Sequence, residues 1–168
     1  IIDPNNGYKT WDGTDLHDIG SVNSIEITNS GSGYTAANTT VSFGTPNQAN
    51  ANVATGEVVI VGGEVSEILI SDAGFGYTSA PTVTITGDGT NATATCTILD
   101  QNGIDVATFS GRTWIASDRT VFYTSADTFN NFVGVDAGFL TISDSTLRTN
   151  ITRILSANNF LYVFGEDS

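Results

Sequence analysis

Two stretches of this chain repeat one another, and the repeat restricts the fold more than any other feature. VNSIEITNSGSGYTAANTTVSFG from Val22 aligns with VSEILISDAGFGYTSAPTVTITG from Val65 at an offset of 43 residues. Val22 falls on Val65, Ile25 on Ile68 and Ile27 on Ile70, while Gly31, Gly33 and Tyr34 fall on Gly74, Gly76 and Tyr77. A period of this length signals stacked supersecondary units. Within each copy an alternating apolar strand leads into G-x-G-Y-T, where the glycines permit the positive φ or close backbone approach of a turn. A second alternating strand follows, carrying Val41 and Phe43 in one copy and Val83 and Ile85 in the other. A third, rich in small residues, is expected at Ala49, Ala51 and Val53 and at Ala92, Ala94 and Cys96. Between the copies, GEVVIVGGEVSEILI reads as a hairpin with Gly62-Gly63 at its tip.

The flanks have a different texture. IIDPNNGYKTWDGTDL reads as strand, turn, strand, and GRTWIASDRTVFYTSADTFNNF repeats that design. GFLTIS and NNFLYVFGEDS add short strands. Leu147, Ile151, Ile154 and Leu155 come close to helical spacing, so this segment reads as one or two helical turns or as a strand, and it is the one helix candidate. Short strands joined by short turns predict an all-β chain. Residues 1–20 and 106–168 are read as propeller-like or sandwich strands, with 21–105 inserted between them as a small β-sandwich built from the two repeats. The opening IIDP and the absence of Met predict a piece of a longer polypeptide.

Composition narrows the function classes. The formal net charge is −13, from 18 acidic and 5 basic residues. Sequence-independent DNA binding requires a Lys/Arg surface that displaces counterions, so specific nucleic-acid binding is not expected, although DNA passing alongside an acidic wall is compatible with the charge. The single cysteine, Cys96, excludes an intrachain disulfide. No run approaches the ~20 apolar residues of a membrane-spanning helix.

The phrases SGSGYTAANTTVSFG and AGFGYTSAPTVTITG resemble the G-S-G-Y-T-x-x-P-T-V repeat of tailed-phage structural proteins and some bacterial surface proteins. Asn38 stands in the first copy where the repeat has Pro. FSGRTWIASDRTVFYTSADTFNNF and DSTLRTNITRILSANNFLYVFGEDS are similar to blades of propeller-like virion proteins, the tail nozzle (tail tubular) and packaged-DNA stabilisation proteins. The resemblance covers about two-thirds of the chain. It implies a ring of virion subunits in contact with neighbouring tail or connector proteins, located in the phage tail, with no active site.

The candidate chemistry is sparse. The G-x-G pairs lack the third glycine and the following helix of a dinucleotide loop, so no cofactor is expected. Asp12, Asp15, Asp18 and Asp88 could offer oxygens to calcium but lack the fixed spacing and closing Glu of a helix–loop–helix site, so turn formation is the expectation and no metal is assigned. His17, the only histidine, has no nucleophile elbow to serve. Glu26, Glu57, Glu64 and Glu67 are the acids a glycosidase pair would need, and they read instead as exposed strand charges. No catalytic residue is assigned. Tyr34, Phe75 and Tyr77 are the candidates for glycan or partner contact, since exposed rings stack on sugars; the competing reading packs each Tyr on its own hairpin. The favoured function is structural, in a virion. The alternative is a carbohydrate-binding or adhesion module on a phage or bacterial surface.

Overall fold

The structure is a computed structural model that describes residues 1–11, 13–99, 101–144, 147 and 149–166. It is all-β, and among the described residues there is no helix, hence none long and apolar enough to cross a membrane. The chain forms two compact units, residues 1–19 with 100–168, and residues 20–99.

The first unit begins with a three-stranded sheet, β1 (Ile2–Asp3), β2 (Gly7–Trp11) and β3 (Leu16–Asp18). The Asp3 carboxylate accepts the Asn5 and Asn6 amides and so fixes the first turn. The second unit then contributes β4 (Val22–Asn29), β5 (Thr40–Phe43), β6 (Thr55–Val61), β7 (Glu64–Asp72), β8 (Val83–Thr86) and β9 (Thr93–Ile98). The chain returns to the first unit with β10 (Asp105–Phe109), β11 (Arg112–Ser117), β12 (Thr120–Tyr123), β13 (Gly138–Thr141), β14 (Ile151–Ala157) and β15 (Phe160–Gly165). Residues 100–105 thus stand outside the repeat unit, because Ile104 donates to the Ala116 carbonyl on β11 at 2.8 Å.

In the repeat unit the four-stranded sheet β4-β9-β8-β5 faces the hairpin β6-β7. Between them lies a core of Val22, Phe43, Ala54, Ile68 and Tyr77, flanked by Ile25, Val41, Val58, Ile85 and Cys96. The arrangement has an approximate two-fold symmetry, and the copies are interleaved. The first strand of copy one, β4, pairs with the third of copy two, β9, while β7 of copy two pairs with β6 of copy one. The middle strands β5 and β8 pair with each other, and Ser42 opposite Thr84 marks the axis, with Val41 opposite Ile85 and Phe43 opposite Val83. Loop hydrogen bonds obey the same exchange. Val22 donates to Ala73 at 2.8 Å and Val65 to Ser30 at 2.9 Å; Tyr34 donates to Gly63 at 2.9 Å and Tyr77 to Gly20 at 3.1 Å.

The third strand of copy one is β6, Thr55–Val61, rather than the expected segment at Ala49, Ala51 and Val53. In that segment only Asn52 makes a β-bridge, to Phe75. Val58 on β6, with Ala54 just before the strand, supplies the core contacts of this part of the copy. Ser21 and Leu99 lie side by side, the Leu99 amide donating to the Ser21 carbonyl at 2.7 Å, so the unit begins and ends at one place.

In the first unit β10-β11-β12-β13 is an antiparallel meander covered on both faces. On one face Ala116 and Val121 pack with Ile151, Ile154, Leu161 and Val163 of the hairpin β14-β15. On the other, Ile115 lies beneath Gly103 and Ile2, so Ile115 and Ala116 are both wholly buried although they point in opposite directions. Arg119 gathers the carbonyls of Ile142 (2.8 Å), Thr149 (3.2 Å) and Leu147, fastening the chain between the meander and the last hairpin. Of the two readings of the segment from Leu147, helical turns or a strand, the structure has the strand, β14 from Ile151. A β-bulge between Ile151 and Arg153 places Ile151 and Ile154 on the same inner face, which mimics helical spacing in the sequence.

Candidate functional site

The residues singled out in the repeats form a clasp rather than a platform. Asn29 and Asp72 each accept the amide of the following glycine, Gly31 at 3.0 Å and Gly74 at 2.9 Å, in equivalent side-chain turns. Both glycines have positive φ, +63° and +60°. A Cβ on Gly31 would stand 2.4 Å from the Thr90 carbonyl oxygen, and one on Gly74 would stand 2.6 Å from the Ala54 nitrogen. The glycines therefore let the backbone of one copy press against the other. The tyrosine then closes the clasp. The Tyr77 hydroxyl accepts the Ala54 amide at 2.9 Å, and the Tyr34 hydroxyl accepts the Ala92 amide at 3.1 Å. Each ring thus reaches into the opposite copy, not back onto its own hairpin.

Tyr34 is 5% exposed and Tyr77 2%. Buried rings present no face to a sugar, so the stacking platform expected at these tyrosines is corrected: they are core residues. Burial also pushes the Tyr77 phenol above its usual pKa. Phe75 is half-buried, and its backbone is bridged to Asn52. The structure does not bring the three rings together on one surface.

The acidic candidates are similarly engaged. Asp12 lies outside the described residues. Asp18 pairs with Lys9 at 2.5 Å. Asp88 accepts the Thr35 hydroxyl at 2.6 Å, the Thr35 amide at 2.9 Å and the Asn38 amide group at 3.2 Å, which together hold its carboxyl down to about 2. Asn47 does the equivalent work for Thr78 in the other copy. Asn38, which stands where the repeat pattern has Pro, is thus a member of this network. Among the described residues no three His, Cys, Asp or Glu side chains are grouped to hold a metal. His17 sits mid-strand opposite Thr10. A groove of about 350 Å³ between β5 and β6 is lined by Thr39, Thr40, Val41 and Glu57 and contains one carboxyl, so it offers no acid–base pair.

One open apolar surface belongs to β14-β15. Its inner side chains enter the core, whereas Phe160, Tyr162 and Phe164 point outward and are 62%, 41% and 45% exposed. The rings form a ladder, with centroids 6.2 Å apart for Phe160–Tyr162 and 6.5 Å for Tyr162–Phe164. Across the hairpin, Ala157 opposes Phe160, Leu155 opposes Tyr162 and Arg153 opposes Phe164. Arg153 is exposed and makes no hydrogen bond or ion pair with any described residue. In sequence, NNFLYVFGEDS reads only as one more short strand. The missed signal is five consecutive apolar residues, Phe160 to Phe164, the pattern of a strand buried on both faces.

A second open face lies on β1-β2-β3. Tyr8 and Ile2 oppose each other and point toward the meander, where Tyr8 meets Phe132 edge-on at 6.2 Å and donates to the Phe129 carbonyl at 3.1 Å. Trp11 and Leu16, directly opposed, are 58% and 48% exposed, and the Lys9–Asp18 pair lies beside them. Comparison with protein-family models, curated proteins and solved structures finds no match.

Proposed function

We propose that this chain is a non-enzymatic structural module of a tailed-phage particle, in the tail nozzle or head-to-tail connector region, acting by oligomeric assembly around the DNA conduit. The observation that carries the reading is the open aromatic face of β14-β15 on a unit already built of stacked sheets. Exposed contiguous aromatics on a sheet mark an interaction surface. The four-stranded meander β10-β13 has the strand order of a propeller blade. The charge of −13 suits a wall that lets DNA slide without gripping it. The repeat unit, with both ends at one point, is inserted in the sequence between β3 and β10.

A second reading, adhesion to host glycans, now draws on Phe160, Tyr162 and Phe164 rather than on the clasp tyrosines. Electron microscopy of the source particle separates the two. A symmetric ring on the tail axis is the expected result, and isolated copies at fibre tips would move the assignment to adhesion.

A further inference from the structure

We infer that the outer face of β14-β15 docks on the outer face of β1-β2-β3 of a second copy of this chain, so that copies add head to tail. The inference rests on the assembly reading above and names its surface and partner.

Three observations favour this occupant. Sheet already packs on sheet twice within the unit, and both covering sheets are closed on their inner sides and open on their outer sides. A second copy in the same relation extends the stacking and covers the Phe160–Tyr162–Phe164 ladder with the Trp11–Leu16 pair. The two faces also complement each other in charge. The ladder face carries Arg153, which opposes Phe164 and makes no hydrogen bond or ion pair with any described residue. The opposing face carries Asp18, whose side chain is 71% exposed despite its pairing with Lys9. Finally, the surroundings of the rings are Ala157 and Leu155, an apolar setting with few groups to bond sugar hydroxyls, as the core of a protein interface has. Because the two faces differ, the contact is heterologous and generates a ring or a filament.

Sedimentation velocity of the whole chain over rising concentration tests this. The native chain should associate reversibly. Tyr162→Glu and Trp11→Glu should each weaken association by about tenfold or more, as loss of a central aromatic anchor does. Each variant keeps one intact face, so an equimolar mixture should recover a pair that cannot grow further. Both positions are exposed, so circular dichroism should be unchanged; if either variant unfolds, Phe160→Ser and Leu16→Ser replace the pair. A native chain monomeric at all concentrations overturns the inference, as does loss of association in Tyr162→Glu alone or a mixture no better than its components. Retention of a monomeric native chain on polysaccharide, abolished by Tyr162→Glu, overturns it in favour of glycan. A ring on the tail axis combined with a monomer in solution refutes this partner and leaves the virion reading standing; association in solution by a chain found at fibre tips does the reverse.

Discussion

Removing one oxygen from each clasp tyrosine should give unequal losses of stability, although the two residues are equivalent in sequence. In Tyr77→Phe the ring still fills the core, but the Ala54 amide loses its acceptor. Ala54 is 2% exposed and Tyr77 2%, so water cannot replace the hydroxyl. A buried donor left unsatisfied costs about 1–3 kcal/mol. In Tyr34→Phe the orphaned donor is the Ala92 amide, on a half-exposed residue and with a longer bond of 3.1 Å. There water can step in, and the loss falls to about 0.5–1 kcal/mol, the net worth of an ordinary hydrogen bond. For a cooperative unit of this size each kcal/mol shifts the midpoint by roughly 4–8 °C. Tyr77→Phe should therefore lower Tm by roughly 10 °C and Tyr34→Phe by roughly 5 °C. Differential scanning calorimetry of both variants measures the two shifts. Equal shifts, or a larger one for Tyr34→Phe, would refute the claim that burial of the partner amide sets the cost.

Other perturbations probe the same unit. Gly62→Ala and Gly74→Ala both place a side chain at positive φ, worth about 1–2 kcal/mol, but Gly62 has open space around it while Gly74 faces the Ala54 nitrogen at 2.6 Å, so denaturant melts should rank Gly74→Ala as clearly the more damaging. The Asp88 carboxyl is held at about 2, below its ordinary 3.8, so the stability it contributes is present above pH ~4 and lost as pH falls toward 2. Asp88→Asn should flatten that acid limb in a series of urea midpoints, and an unchanged slope would contradict the linkage. The Tyr77 phenol is raised above its ordinary 10.0 by burial, so its contribution is intact below pH 10 and is lost as pH rises through the raised value. Burial raises Tyr8 as well, so phenolate absorbance at alkaline pH should show two late-titrating tyrosines, of which Tyr77→Phe removes one.

Much of the repeat unit was legible because its two copies use the same turn chemistry. Asn29 and Asp72, then Gly31 and Gly74, then Tyr34 and Tyr77 recur at one offset because each trio performs one mechanical task. What could not be read was which copy each trio serves, since strand period fixes the face of a residue and not its pairing partner. The tyrosines looked like turn ornaments because the strand they cap is remote in sequence. The bulge beside Ile151 defeated the period test in the other direction by giving a strand the spacing of a helix. At β15 the five apolar residues were visible, but only the structure separates those feeding the core, Leu161 and Val163, from those facing outward.

The interleaving of the two copies sets the order in which this protein can acquire its structure. Copy one leaves the ribosome first, yet β4 waits for β9, and only the hairpin β6-β7 around Gly62-Gly63 and the short β8-β9 connection can close locally. The remaining pairings must close long loops before any contact compensates for the lost chain entropy. Until Ile98 emerges, the nascent chain holds β4 and β5 with unsatisfied edges, the condition in which strands recruit wrong partners. The low charge density and many turn residues of the intervening loops are then as relevant to synthesis as to the finished fold. Refolding from denaturant should accordingly be slow for a unit of this size, and it should complete in a single step, because every strand of copy one finds its partner in copy two.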